Sequence, residues 1–230
     1  AGVCHEILNP LNIISGHSQS LLIERNNDGD LCNDLNSIME EIQRISKIIS
    51  SLLKFSRKGN MDFKKLDIRK ELESVLSLVE KEMQLEGIQT IRKFDSEILP
   101  VFIDTDGMRQ VFLNIINNAK FAMHRGGVFT VSTEVLIPEE NWSLYQGKDF
   151  PTPNPKKIMR IKFSDTGLGI RKEDMEKIFE PVFTTKPEEK GTGLGLSVSF
   201  SIIEKHGGRL EVESELGMGT AVIIDLPIRE

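Results

Sequence analysis

Ile7, Leu8, Leu11, Ile14, Leu21 and Leu22 recur at three- and four-residue steps, which predicts a helix over residues 1–25. Asn-Asn-Asp-Gly-Asp at 26–30 interrupts it with turn-forming residues. Beyond the break, Leu31, Leu35, Ile38, Ile42, Ile45, Ile49 and Leu52 alternate in steps of four and three, the heptad spacing of a coiled-coil seam. A hairpin of two such helices has more apolar surface than it can bury alone. Pairing with a second copy into a four-helix bundle would cover it; packing on the hairpin's own downstream domain is the alternative.

The pattern changes after Arg57-Lys-Gly-Asn60, a hinge signal. It divides the chain into a helical hairpin, residues 1–58, and an α/β part, residues 61–230, so the class is α+β. A short strand is expected from Phe63 to Ile68. A helix over 69–86 follows, with Leu72, Val75, Leu76, Val79 and Met83 on one face. Strands near 88–94 and 100–103 precede a helix starting near 105, whose stripe is Met108, Val111, Phe112, Ile115 and Ala119. Gly127–Val135 reads as a strand. Residues 137–156 are polar and proline-rich and hold the only Trp and Tyr, the composition of an inserted, exposed loop. In Ile-Met-Arg-Ile-Lys-Phe-Ser-Asp, Met159, Ile161 and Phe163 alternate with Arg160, Lys162 and Ser164, a half-buried strand. A helix carrying Leu194, Val198 and Ile202 ends at His206-Gly207-Gly208. Strands Arg209–Ser214 and Thr220–Leu226 close the chain.

Composition narrows the function classes. A length of 230 residues suits one large or two small domains. Net charge −6 without a basic cluster argues against nucleic acid as partner. No apolar run approaches the roughly 20 residues of a membrane span, so no membrane contact is expected of this stretch. Cys4 and Cys32 fit no metal spacing; as small helix-packing residues they suit a reducing, cytoplasmic setting.

The chemistry concentrates between Asp165 and Leu196. Asp165 continues the apolar parity of its strand, so its carboxylate should point inward, where a ligand amino group would offset the cost of burial. Gly167 and Gly169 let the backbone turn and approach a ligand closely. Gly191, Thr192, Gly193, Leu194, Gly195 and Leu196 lead into a helix whose bare N–H groups form an anion site, flanked by Lys186 and Lys190. One end would read a base and the other would hold phosphates. The Asp-Thr-Gly of aspartic proteases does not fit a helix-rich chain, and the P-loop pattern is absent.

Asp-Thr-Gly-Leu-Gly, Phe-Glu-Pro-Val-Phe with Phe179 and Phe183, and Gly-Thr-Gly-Leu-Gly-Leu together resemble the ATP-binding site of the GHKL family, in the form used by sensor histidine kinases. The resemblance covers nearly the whole chain. It implies a GHKL-type α/β sandwich, a mixed sheet with one layer of helices, binding ATP and Mg²⁺. Upstream, His-Glu-Ile-Leu-Asn-Pro at 5–10 matches the phosphoacceptor box of that family. Neutral imidazole is nucleophilic near its pKa of about 6.5, and Glu6 can orient the ring or take its proton. Asn9 lies one turn from His5, and Pro10 frees the Glu6 carbonyl and bends the helix. His17, His124 and His206 lack such neighbours and read as structural or solvated.

Asn-Ile-Ile-Asn-Asn-Ala-Lys at 114–120 resembles the family's asparagine box, which implies Asn118 as the Mg²⁺ ligand and Asn114, one turn away, toward the phosphates. Many relatives carry a polar or basic residue where Phe121 stands, which leaves open whether Lys120 or Phe121 faces the phosphates. Thr220 shares parity with Val222, Ile224 and Leu226, and by resemblance its hydroxyl joins Asp165 around adenine. The resemblance further implies a homodimer that labels His5, passes the phosphoryl group to an aspartate of a response-regulator receiver, and dephosphorylates that regulator. The start at Ala1, inside a helix, suggests a sensor region upstream. Two rivals stand beside this: an ATP-gated clamp, whose members keep a glutamate where Asn114 is found, and a scaffold that binds nucleotide without catalysis.

Overall fold

The computed structural model describes residues 2–24, 29–56, 61–96, 99–138, 155–187 and 191–228; the side chains of 2–9, 43, 44, 47, 48 and 50–56 lie outside that description. The hinge at 57–60 and most of the loop expected at 137–156 lie outside it too. The chain divides into two units, residues 1–59 with 181–194 and residues 60–180 with 195–230.

In the first unit, α1 (Gly2–Glu24) and α2 (Gly29–Ser56) form the hairpin, with Pro10 inside α1. Leu11, Ile42 and Ile49 make the buried contact, with Ile45 packed against it, and Leu35 is buried as well. The heptad seam is therefore covered unevenly. Leu35, Ile42 and Ile49 recur every seventh residue and are buried, whereas Ile38 on the alternate row is 45% exposed. Ile13, Ile14, Leu21 and Ile23 of α1 are exposed too. One helix covers only a narrow stripe of its neighbour, so a wider apolar face stays uncovered within a two-helix hairpin.

The second unit runs β1 (Phe63–Leu66), α3 (Ile68–Leu85), β2 (Ile88–Phe94), β3 (Val101–Asp104), α4 (Thr105–Ala122), β4 (Gly127–Leu136), β5 (Ile158–Asp165), α5 (Gly195–Lys205), β6 (Arg209–Glu215) and β7 (Gly219–Pro227). β1 and β3 form a small antiparallel pair, and the main sheet has the order β2-β4-β5-β7-β6. Only β2 against β4 is parallel, so the sheet is mixed. The first strand ends two residues earlier than its apolar pattern suggests. Asp67 accepts a hydrogen bond from the Arg69 N–H and caps α3, which turns Ile68 into a buried helix residue. Asp104 caps α4 in the same way, through the Gly107 N–H at 2.9 Å.

The helices pack on the sheet face that carries Phe129, Val131, Ile161, Phe163 and Ile224. Phe163, 1% exposed, lies 5.6 Å from the Phe112 ring of α4 and 6.2 Å from Phe129 of β4. α5 is stopped just beyond Lys205 by Gly207, whose φ of 70° lets the Gly208 N–H return to the Ile203 carbonyl at 3.0 Å. His206 is buried, at 2% exposed, and is structural. Its Nδ1–H donates to the Ile202 carbonyl (2.7 Å), and its Nε2 accepts from the Asp104 N–H (3.0 Å). One neutral ring thus joins the end of α5 to the start of α4.

Phe163→Ala should destabilise the protein by about 3–5 kcal/mol, the usual cost of emptying a buried aromatic position. Urea unfolding measures this. A loss below about 1 kcal/mol would show that Phe112 and Phe129 close the gap without it.

Candidate functional site

Asp165 ends β5, opposite Phe129 of β4 and Thr220 of β7. Its carboxylate accepts from the Gly167 N–H at 2.8 Å and from the Thr220 backbone. Burial raises its pKa above the ordinary 3.8, while these two backbone hydrogen bonds pull the other way. The loop after it is held on both sides. The Leu168 N–H donates to the Ala122 carbonyl at the end of α4, and the Leu168 carbonyl accepts from the Gly217 N–H in the β6–β7 turn. Gly169 needs its glycine twice over: φ is 69°, and a β-carbon would overlap the Glu215 carbonyl. Thr220 hydrogen-bonds through its hydroxyl to Ser214 Oγ at 2.9 Å. Ser214 was not among the expected site residues. The signal for it was parity, since on β6 it continues the series Leu210, Val212, a polar residue on the apolar side of its strand.

α4 and α5 pack against each other. Asn114 Nδ2 donates to the Gly195 carbonyl (3.0 Å) and to Ser199 Oγ (3.2 Å), and Ser199, 0% exposed, donates to Gly195 as well. The Asn114 amide therefore fastens the glycine-led first turn of α5, where Gly195 and Leu196 stand, to the middle of α4. A carboxylate at position 114 could not donate either bond. Asn118 is half-buried one turn further along. Lys120 goes elsewhere: its ammonium lies 2.5 Å from Glu82 and 3.4 Å from Glu86 on α3. Burial opposes its charge, but the two glutamates outweigh burial and leave its pKa above the ordinary lysine value. Phe121 is half-buried.

Residues 181–194 belong to the other unit. The Val182 N–H donates to the Gly193 carbonyl at 3.0 Å and closes the segment between them. A β-carbon on Gly193, whose φ is 66°, would overlap the Val182 carbonyl, and Val182 itself has φ 71°, an unfavourable value for a β-branched residue. Thr184 Oγ1 accepts from the Lys186 N–H. Phe183, Gly191 and Thr192 are half-buried and Leu194 is buried. Burial lowers the Lys186 pKa. Lys190 lies outside the described residues. His5, Glu6 and Asn9 stand on α1, their side chains outside the description. Among the described residues no three His, Cys, Asp or Glu side chains cluster to hold a metal, and no helix is long and apolar enough to cross a membrane.

The profile of the family described as histidine kinase-, DNA gyrase B-, and HSP90-like ATPase matches residues 103–230, and that of the His Kinase A (phospho-acceptor) domain matches residues 1–60. Sporulation kinase E of Bacillus subtilis is 31% identical over 230 residues, which is 100% of this chain and 28% of that protein. The structure of histidine kinase ThkA in complex with response regulator protein TrrA is similar at 28% identity and a TM-score of 0.66, covering 100% of this chain and 60% of that one. ShkA in complex with AMPPNP has the same fold, with a TM-score of 0.71 at 22% identity, covering 99% of this chain and 45% of that one. The chain thus spans less than two thirds of each of these proteins.

Asp165 carries a pH signature. A carboxyl whose folded pKa is raised favours folding most when protonated, below the unfolded value, and loses that contribution as pH rises through the folded pKa. At pH 7 the ionised group therefore costs stability. Asp165→Asn should make the ligand-free protein more stable than the parent at pH 7, and the gain should shrink as pH falls toward 4. Urea unfolding at both pH values measures this; an equal effect at both would place the carboxylate in solvent.

Proposed function

Because this chain belongs to the histidine kinase-, DNA gyrase B-, and HSP90-like ATPase family, as a sensor histidine kinase, we propose that it labels its own His5 from ATP. The phosphoryl group then moves to an aspartate of a response-regulator receiver. The observation that carries this reading is Asp165: a half-buried carboxylate at a strand end, held by two backbone N–H groups, in a chain that also bears His-Glu-Ile-Leu-Asn-Pro on α1. The adenine amino group donates to Asp165, with Thr220 beside it. The phosphates lie at the start of α5, at Gly195 and Leu196. Phe183, Lys186, Gly191, Thr192, Gly193 and Leu194 join the site on their motif alone, and so does Lys120, whose charge the α3 glutamates already engage.

A neutral nitrogen of His5 attacks the γ-phosphorus, the bond to the β–γ bridging oxygen breaks, and ADP leaves. Glu6 receives the proton that the ring gives up. Such transfer asks a protein mainly for positioning and charge neutralisation. Mg²⁺ supplies the neutralisation when bound. One amide oxygen, that of Asn118, fits an ion that keeps water and phosphate oxygens in its other positions. The exposed apolar residues of the hairpin, Ile13, Ile14, Leu21, Ile23 and Ile38, support a homodimer. Asn9, one turn from His5, would orient water against the regulator's phosphoaspartate. The clamp reading is disfavoured by Asn114, an amide whose N–H groups are spent on α5 and which offers no base to water. A purely structural nucleotide site leaves the phosphoacceptor box without a purpose.

With γ-labelled ATP, the parent should gain an acid-labile, base-stable label that His5→Ala and His5→Gln lack; label in either variant would remove the assignment. Asp165→Asn should weaken ATP binding by about 1–3 kcal/mol, the scale of a lost charged hydrogen bond, read by calorimetry. Asn9→Ala should keep the label on His5 and lose regulator dephosphorylation. Equal lifetimes of the phosphorylated regulator with parent and variant would end that part of the reading.

A further inference from the structure

Ser214 carries more hydrogen bonds than a serine on a strand ordinarily needs. Its Oγ lies 2.9 Å from the Ile170 N–H, 2.9 Å from the Gly219 carbonyl and 2.9 Å from Thr220 Oγ1. A hydroxyl has one proton and two lone pairs. The Ile170 N–H can only donate and the Gly219 carbonyl can only accept, so two of the three contacts have a fixed direction. The Ser214 proton goes to Gly219. Both its lone pairs are then left for donors, and the Thr220 hydroxyl must be the second one.

We propose that Ser214 is a specificity-determining positioning residue: by taking the Thr220 proton, it makes the base end of the site accept hydrogen bonds only, and so select a 6-amino purine over a 6-oxo purine. This rests on the nucleotide reading given above. Thr220 stands directly opposite Asp165 in the β5–β7 register. With its proton turned to Ser214, Thr220 shows the ligand lone pairs. The ionised Asp165 carboxylate also offers lone pairs alone. An exocyclic amine brings two donors to this pair. A 6-oxo base held in the same place brings a carbonyl oxygen to both acceptors, and its N1–H reaches the carboxylate only if the ring leaves the position adenine takes, a mismatch of the kind that is penalised heavily. Ser214 also holds the Ile170 backbone, so the same hydroxyl fixes the loop after Gly169 against β6.

The test compares ADP with inosine diphosphate, which differs only at the 6-position and its neighbouring ring nitrogen. Calorimetric titration of the full chain should show a preference for ADP. Ser214→Ala frees the Thr220 proton to turn toward an oxo group, and the preference should narrow about tenfold or more. Ser214→Thr keeps the hydroxyl and should restore the parent ratio. A uniform weakening of both nucleotides by Ser214→Ala, with the ratio unchanged, would overturn the proposal and leave Ser214 a structural support. If Ser214→Ala does not fold, Thr220→Val removes the same contact from the other partner and must narrow the ratio too; an unchanged ratio there also overturns it. Failure of the parent to bind ADP at all would instead overturn the nucleotide reading.

Discussion

The pairing of α4 with α5 is the constraint on which the second unit depends. Asn114, in the middle of α4, holds the first turn of α5 through Gly195 and Ser199, and His206, just past the end of α5, holds the Asp104 N–H at the start of α4. The two helices are therefore antiparallel and pinned at two separated points. α5 has 11 residues, too few to be stable as an isolated helix, so tertiary contacts must give it both existence and direction. Both pins are buried or half-buried polar groups with their hydrogen bonds made, and such groups define one arrangement because any other leaves them unsatisfied. His206 can serve only while neutral, since its Nε2 must accept.

The polar residues proposed for the base end share one origin. Asp165 on β5, Thr220 on β7 and Ser214 on β6 each continue the inward row of their strand, at one end of three neighbouring strands. Further along the same rows stand Phe163, Val222 and Val212, part of or packed on the apolar core. The sheet is thus apolar at its middle and polar at this end, with no change in strand geometry. What changes is the cost, because a half-buried carboxylate with a raised pKa weakens the fold at neutral pH. A group kept at such a cost is one that a ligand can use. The φ of Val182 belongs to the same class of observation, a local rule broken within Phe-Glu-Pro-Val-Phe.

Periodicity and local chemistry were legible along the chain because they repeat within a few residues. The steps of three and four in α1 and α2, the alternation of Met159, Ile161 and Phe163, the turn at Gly207-Gly208 and the parity of Asp165 all need nothing beyond near neighbours. His-Glu-Ile-Leu-Asn-Pro and Asp-Thr-Gly-Leu-Gly are equally local. β1 stops two residues short of its apolar pattern, since the capping bond of Asp67 competes with a pattern that continues through Ile68.

Tertiary structure decided the rest. The place of β2, parallel at the edge beside β4, depends on chain crossings that leave no periodic trace. Asn114 finds its partner 81 positions away, and Lys120 turns to glutamates on another helix; neither residue type nor spacing announces such a choice. Ser214 gains its meaning only when β6, β7 and the loop at Ile170 come together, because the direction of a hydroxyl proton is set by every partner around it at once. A local pattern specifies which face of an element is buried. Which hydrogen bond a side chain makes on that face is a property of distant residues brought close.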